Sequence, residues 1–328
     1  MRHGEVSAFL GTVQGVTALD PRPVVVEQAQ SSPARSWRDT VKAYVSITKP
    51  RVVELLLITT LPAMVLAARG LPPLGLALAT LTGGALAAGS AHVFNQVIER
   101  DIDALMKRTS RRPLVNDQIS VRSAVVFGVV LLVVAVAMML VWVNPLAAAL
   151  TALANAFYVL VYTVLLKRRT SQNIVWGGIA GCMPTLIGWA AVTGTLSWAP
   201  WVMFLVVFFW TPAHYWPLAI KFRHDYAAAG VPMLPVVAED VRVGLQITAY
   251  AAATVAVSLA LAPVASLGWI YLGTAAVAGA WFMAESWRLL RAARLGEPNL
   301  RPMRLFHASI TYLTLVFVSI GVDVVVLG

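Results

Sequence analysis

Residues 95–113, NQVIERDIDALMKRTSRRP, concentrate charge in a chain that is 59% apolar and only 12% charged. If one helix runs through this stretch, Asn95, Glu99 and Asp103 fall within roughly 80° of arc and share one face, while Asp101 points largely elsewhere. One amide oxygen and two carboxylates on a common face suit Mg²⁺, which commonly uses a few protein oxygens together with water and substrate phosphates. The stretch is therefore a candidate site for a metal-bound diphosphate.

The same charges also fit an ordinary helix end. Glu99 would then pair with Arg100, or Asp103 with Lys107, since acids and bases three or four residues apart are common on exposed helices. The chemical interpretation gains weight only if other segments supply groups for the same ligand.

Two further segments contain side chains that could bind the same ligand. LKRRTSQN (166–173) places Lys167, Arg168 and Asn173 at the end of an apolar run, where charge and donor geometry suit phosphate oxygens. Bases at such an end are also typical of a membrane flank. The second segment, TPAHYWPLAIKFRHDYAAAGVPMLPVV (211–237), has His214 inside an apolar stretch and Lys221 and Asp225 beyond it. An ionisable group inside a membrane is a functional candidate, although His214 also fits a hydrogen-bonded structural role.

Apolar runs of about twenty residues must position these groups. They predict an all-α, polytopic membrane protein with nine transmembrane helices, because a spanning segment can satisfy its backbone only as a helix. The predicted spans cover residues 52–69, 73–95, 121–142, 145–165, 174–193, 199–220, 244–264, 267–285 and 306–327. The single cysteine, Cys182, excludes a disulfide framework and a cysteine metal site.

Charge placement predicts the orientation. All but one of the 25 Lys and Arg residues fall on one side of a nine-helix chain, and Arg69 is the exception. The amino terminus is therefore expected in the cytoplasm and the carboxyl terminus outside, in the plasma (inner) membrane. The formal charge of +10 then reports topology, and no nucleic-acid partner is expected. Residues 1–43 are predicted to form a disordered cytoplasmic tail before an intramembrane domain at residues 44–328.

Several of these segments carry a family resemblance. NQVIERDIDALMKRTSRRPL, YTVLLKRRTSQNIVWGG and HYWPLAIKFRHDYAAAGVPMLPVV resemble signature segments of the heme-farnesylating branch of the UbiA-type intramembrane prenyltransferases. TKPRVVELLLITTLPA, at the start of the first span, is similar as well. The resemblance covers roughly residues 44–325, and its most specific part is the stretch that ends in PMLPVV.

The resemblance implies a nine-helix bundle that transfers a farnesyl group from farnesyl diphosphate to a vinyl group of heme B, with addition of water. It implies Mg²⁺ bound by one residue set and diphosphate contacted by another. The metal ligands would be Asn95, Glu99, Asp103 and Asp225; the diphosphate contacts would be Arg108, Arg112, Lys167, Arg168, Asn173 and Lys221. Of these, Asn95, Glu99, Asp103, Lys167 and Asp225 are the expected catalytic residues.

The chain departs from the wider family at two positions of the metal motifs. Glu99 stands where the family more often has Asp, and Lys221 with Asp225 stands where quinone-type members have two Asp residues. Lys221 could therefore contact phosphate directly as a point charge.

His214 and His92 are candidates for contact with the heme iron or a propionate, although His92 equally fits packing in a polar network. A heme A synthase or terminal-oxidase assembly factors would be the protein partners, beside the lipid bilayer. The alternatives are a relative of the same fold that prenylates a quinone precursor or other aromatic, and a transporter, which would need a polar path to both faces.

Overall fold

The computed structural model describes residues 36–327, apart from the side chains of residues 51–57, and this part of the chain contains helices and no strands. Nine long helices run through the described range: α2 (Pro50–Ala68), α3 (Leu74–Ile98), α5 (Val121–Trp142), α6 (Pro145–Ala156) continued by the π-helix π1 (Phe157–Leu166), α7 (Asn173–Thr193), α8 (Trp198–Lys221), α11 (Asp240–Ala265), α12 (Trp269–Arg294) and α13 (Pro302–Leu327). Four short helices complete it: α1 (Trp37–Ile47), α4 (Arg100–Leu105), α9 (Arg223–Ala228) and α10 (Leu234–Val237).

The nine long helices coincide with the nine predicted spans, which confirms the all-α membrane architecture. Seven of them are long and apolar enough to cross a membrane, counted over the described residues. The other two are α12 and α2, and the described apolar part of α2 is Ile58–Ala68. The chain is a multi-pass membrane protein.

Helix α7 lies at the middle of the bundle and packs on α2, α6 and α8, while α13 packs on α12, α8 and α2. A small residue allows the close crossing of α7 and α2. A Cβ on Gly188 would lie 2.6 Å from the carbonyl oxygen of Thr60, so a side chain there would push the two helices apart.

Side chains at the predicted external side tie helix ends together. Asn144 begins α6 and donates to the carbonyl of Ala190 at the end of α7, at 2.7 Å. Asp323 of α13 accepts from the backbone N–H groups of Gly268 and Tyr271 at 2.6 and 2.9 Å. It thereby caps the first turn of α12, whose N–H groups have no partner within that helix.

The predicted boundary of the amino-terminal tail is partly wrong. Residues 1–35 lie outside the described residues, but residues 37–43, which were placed in the tail, belong to α1. Ala43 and Ile47 of this helix are buried against Val93 of α3 and Ala124 of α5. An amphipathic helix therefore precedes the first long helix and belongs to the packed unit.

The charged stretch that follows α3 is helical with one interruption. Helix α3 ends at Ile98, Glu99 has φ −98° and ψ 9°, and α4 begins at Arg100. The amide of Glu99 still bonds to the carbonyl of Asn95 at 3.0 Å, and the amide of Asp103 bonds to that of Glu99 at 2.8 Å. Because these bonds reach four residues back, Asn95, Glu99 and Asp103 still share one face despite the interruption, as predicted.

Candidate active site

A buried polar centre lies where α3 and α4 meet the end of π1. We use this name for Asn95, Glu99, Asp103, Arg112 and Lys167, together with Lys49 and Thr163. Asn95, Glu99 and Asp103 are 2%, 1% and 1% exposed, whereas Asp101 is exposed. The alternative of a solvated helix end is therefore wrong for the three inward residues.

Each carboxylate of the polar centre is held by a base from a later segment. Lys167 Nζ lies 2.5 Å from Glu99 Oε2, and Arg112 binds Asp103 Oδ2. In both carboxylates the second oxygen, Glu99 Oε1 and Asp103 Oδ1, is buried without a hydrogen-bond partner. Buried oxygens of this kind are costly unless a cation or a donor binds them, so the pair is prepared for a ligand.

Asn95 connects the centre to two residues that the sequence did not mark as site residues. Lys49 Nζ lies 3.4 Å from Asn95 Oδ1, and Asn95 Nδ2 donates to Thr163 Oγ1 at 3.2 Å. Burial, with the nearby charges of Arg112 and Lys167, lowers the pKa of Lys49 from its usual value to about 7. Arg112 and Lys167 balance the charges of the two carboxylates, and an anionic ligand beside Lys49 would favour the protonated form of this lysine.

An apolar cavity of about 160 Å³ lies next to the polar centre, between α2, α3, α6, π1 and α7. Its walls are mostly small residues such as Ala88, Ala154 and Gly181. His92 and Tyr158 line the same cavity and approach each other, with 3.4 Å between Nδ1 and the hydroxyl. Since His92 is one helical turn from Asn95, the apolar space ends close to the charged groups.

The second predicted acidic segment contributes through Asp225 in α9. Asp225 Oδ2 accepts from the backbone N–H of Arg108 at 3.2 Å, and the Arg108 side chain lies 3.5 Å from the hydroxyl of Tyr226. Tyr226 in turn shares a 3.0 Å hydrogen bond with Tyr215 of α8. Arg108 therefore links the stretch after α4 to α8 and α9.

Two residues predicted to contact the diphosphate, Arg168 and Lys221, lie away from the polar centre. Arg168 forms an exposed bidentate pair with Asp101, at 2.6 and 2.8 Å, and this hydrogen bonding lowers the pKa of the Asp101 carboxyl. Lys221 lies in a surface cleft with Arg301 and Arg304, between the end of α8 and the start of α13. The structure therefore does not bring Arg168 or Lys221 into the polar centre.

Asn173 is buried near Lys167, but its donors are already used. Its Nδ2 donates to the carbonyls of Thr170 at 2.6 Å and of Lys167 at 3.4 Å. Its Oδ1 is buried and unpaired. The structure thus shows the Asn173 amide bound to backbone carbonyls, and its contact with diphosphate stays a prediction.

His214 is enclosed by side chains of α8 and α13. Its ring stacks between Trp210 and Phe306, with centroid distances of 4.2 and 4.6 Å, and Nδ1 lies 2.8 Å from Ser309 Oγ. Only Nε2 is left for a ligand. This arrangement supports the structural role of His214, whereas His92 faces the cavity.

The predicted metal set is only partly assembled. Within the described residues, no three Asp, Glu, His or Cys side chains lie close enough together to hold a metal ion, so Asp225 does not join Glu99 and Asp103. The unpaired oxygens of Glu99 and Asp103, with the Asn95 amide nearby, still match the hard oxygen ligands that Mg²⁺ prefers. The donor set fits the ion on the α3–α4 side.

The fold and the site define a class of intramembrane enzyme, and the chain belongs to the UbiA prenyltransferase family, whose model matches residues 56–310. It is 55% identical to a protoheme IX farnesyltransferase of Cutibacterium acnes over 93% of this chain and 91% of the relative. It is also 55% identical to a protein of that name from a Nocardioides species, over 97% and 100%.

Solved structures of the family share the fold. A UbiA homolog from Aeropyrum pernix K1 superposes with a TM-score of 0.66 at 23% identity, over 83% of this chain and 98% of that one. A UbiA homolog from Archaeoglobus fulgidus, bound to GPP and Mg²⁺, superposes with a TM-score of 0.57 at 19% identity, over 85% and 99%.

Several residues in and around the site could not be predicted from the sequence. Tyr158, Tyr162 and Thr163 lie in an apolar run with no visible polar spacing, and Tyr215 and Tyr226 read as aromatic flanks of a span. Of the missed residues, only Lys49 could have been suspected from the sequence, because it falls in TKPRVV, within a segment that resembles the family.

Proposed function

We propose that the chain transfers a farnesyl group from farnesyl diphosphate to a vinyl group of heme B, with addition of water, and releases heme O and diphosphate. The observation that carries this proposal is the polar centre beside an apolar cavity. Its charges suit a diphosphate, and the cavity suits an isoprenoid chain. The heme acceptor is supported by relatives that share more than half of their residues with this chain over nearly its full length.

Mg²⁺ is part of the proposal. Glu99 and Asp103 would hold it through the oxygens that have no other partner, with Asn95 beside them. Bound there, the ion would neutralise charge on the diphosphate oxygens. The UbiA homolog from Archaeoglobus fulgidus that is bound to GPP and Mg²⁺ supports the choice of ion.

The side chains of the polar centre act on the leaving group. As the bond between C1 of the farnesyl group and the diphosphate oxygen breaks, negative charge builds on the diphosphate. Lys167 and Arg112, held in place by Glu99 and Asp103, supply fixed positive charge at that point. Arg108, with its guanidinium against Phe222 and Tyr226, adds a further cation.

The cavity walls protect the reacting carbon. Small apolar residues keep water from the allylic carbon until the terminal vinyl carbon of the heme has formed the new carbon–carbon bond. Water then adds its oxygen to the inner vinyl carbon and loses a proton. One diphosphate leaves for each farnesyl group transferred, so the atoms balance.

The setting of this reaction follows from charge placement. We propose that the amino terminus is cytoplasmic and the carboxyl terminus external in the plasma (inner) membrane, since Arg69 alone among the bases lies on the opposite side. A topology reporter fused after Gly328 should be active outside the cytoplasm, and activity inside would contradict the model. Heme O would pass to a heme A synthase or to terminal-oxidase assembly factors.

The test uses the purified protein with heme B, farnesyl diphosphate and Mg²⁺. We expect a heme product whose mass increases by one farnesyl group and one hydroxyl group, and water enriched in oxygen-18 should place one heavy oxygen in it. Omitting farnesyl diphosphate is the first control, and an aromatic quinone precursor in place of heme is the second. Prenylation of the aromatic acceptor without any heme product would contradict the proposal.

A further inference from the structure

The ten-residue π-helix that continues α6 is an unusual element, because π-helices normally occur as single turns inside α-helices. Its wide turn is visible in one backbone hydrogen bond and one side-chain hydrogen bond. The amide of Lys167 bonds to the carbonyl of Tyr162 at 3.0 Å, and the hydroxyl of Thr163 donates to the carbonyl of Tyr158 at 3.0 Å. Both bonds reach five residues back along the chain.

Three contacts, which we call rungs, join π1 and the residue that follows it to α3 and the residue that follows it. They pair Tyr158 with His92 at 3.4 Å, Thr163 with Asn95 at 3.2 Å, and Lys167 with Glu99 at 2.5 Å. Successive rungs are three and four residues apart on α3 but five and four residues apart on π1. Only a helix with a longer period can match α3 in this way.

The angles show how large the difference is. At 100° per residue, the nine residues from Tyr158 to Lys167 turn an α-helix through 900°, which places the two side chains on opposite faces. A helix bonded five residues back turns roughly 82° per residue, so the same nine residues end within roughly 20° of the starting direction. The π-helix is therefore what directs Lys167 to the face that carries Tyr158.

A contact with α7 explains how this helix is held. The ring of Tyr162 is buried against Gly177, where a Cβ would lie only 2.1 Å from Tyr162 Cδ2. Lys167 Nζ lies 5.9 Å from the centre of the same ring. Tyr162 thus fills a space that exists only because position 177 has no side chain, and its ring also lies within reach of the lysine.

We propose that Tyr162, inserted at Gly177, is a positioning residue that keeps π1 in register with α3 and so holds Lys167 at Glu99, where the diphosphate departs. The role of Lys167 toward diphosphate rests on the function proposed above. The register itself does not, because it is defined by contacts within the chain.

The test compares four variants of the full-length protein. Gly177→Ala should displace the Tyr162 ring, and Tyr162→Ala should remove it. Tyr162→Phe keeps the ring and serves as the conservative control. Gly273→Ala places a methyl group on α12, where nothing lies within 4 Å, and controls for a glycine replacement in a long helix.

Two measurements are made on each variant. The first is the rate at which a small amine-reactive reagent labels Lys167, followed by mass spectrometry, and it needs no enzyme activity. The second is turnover of farnesyl diphosphate, with kcat and KM determined separately. We expect Gly177→Ala and Tyr162→Ala to raise the labelling rate about 10-fold and lower kcat about 10²-fold, since a displaced catalytic group costs that much. The KM for heme should stay unchanged.

Each outcome decides the proposal. Tyr162→Phe and Gly273→Ala should match the wild type in both measurements. Wild-type labelling of Lys167 in folded Gly177→Ala and Tyr162→Ala proteins would overturn the proposal, as would a Tyr162→Phe variant as impaired as Tyr162→Ala. If Gly177→Ala does not fold, the two Tyr162 variants decide. If the wild type makes no heme O but the labelling contrast appears, the proposed function fails and the register survives.

Discussion

At the scale of single residues, the acids of the polar centre are paired and yet incomplete. Glu99 and Asp103 each give one oxygen to a base and keep one buried oxygen free. A buried carboxylate needs a partner, and a basic side chain supplies it in the absence of other ligands. In the proposed reaction the same bases would face the diphosphate.

Asp103→Asn should therefore abolish most of the activity while preserving the fold. The change keeps the size of the side chain but removes the charge that holds Arg112 and that would bind the proposed metal, and we expect kcat/KM to fall about 10²-fold or more. Farnesyl diphosphate turnover measures it. Asp117→Asn is the matched control, because that carboxylate is 80% exposed and pairs with Arg100 at the surface.

A surface ion pair contributes about 1 kcal/mol at most, so Asp117→Asn should stay within about twofold of the wild type. Similar small effects from both substitutions would remove Asp103 from the catalytic assignment. The same comparison made at several Mg²⁺ concentrations should show a higher metal requirement for Asp103→Asn alone.

Residue spacing anticipated part of this site. Helical periodicity placed Asn95, Glu99 and Asp103 on one face and turned Asp101 away, and in the structure that face is buried. Spacing could not show that the Asn173 donors would be used by nearby carbonyls, or that Lys221 would face α13. Those outcomes depend on the rotation of a helix about its axis, and a segment that is apolar all round does not reveal that rotation.

At the scale of elements, the nine spans were predictable because lipid leaves the backbone no alternative to helix. Their ends were less predictable. The structure extends two predicted spans, at residues 73–95 and 267–285, to Ile98 and Arg294. Apolar length reports the thickness of the bilayer, whereas helices continue into water wherever polar side chains still support them.

The sequence could not predict that residues 157–166 form a π-helix and not an α-helix. FYVLVYTVLL has only Thr163 and two tyrosine hydroxyls as polar groups, too few to reveal its period in the sequence. Read as an α-helix, it would direct Lys167 away from Tyr158. The deciding information lies on α7, where Gly177 leaves room for Tyr162, and contacts between segments of this kind are not visible in either segment alone.

At the scale of the whole molecule, the polar centre lies on the same side of the bundle as nearly all the basic residues. The polar centre draws its residues from Lys49 just before α2, from the ends of α3 and π1, from α4 and from the stretch after it, all on the side that carries nearly all the bases. A water-soluble diphosphate would be released at that side, while the apolar cavity continues into the bundle. This one-sided arrangement does not favour a transporter, which needs a polar path to both faces.

The amino-terminal boundary gives a prediction for the whole molecule, from two truncations that differ by eight residues. Removing residues 1–35 leaves α1 complete, and we expect unchanged melting and turnover. Removing residues 1–43 takes most of α1, including the buried Ala43, and leaves a segment too short to be helical by itself.

That second truncation should also loosen Ile47, whose carbonyl accepts from Gln96 at 2.6 Å, and Tyr44, whose ring lies 5.0 Å from that of Phe127. Gln96 is adjacent to Asn95, so the loss reaches the polar centre. We expect it to cost about 1–2 kcal/mol, to lower the melting temperature by roughly 3 °C or more and to reduce turnover. Thermal unfolding in detergent and diphosphate release measure both effects. Equal melting temperatures and activities for the two truncated proteins would show that α1 is not part of the functional fold.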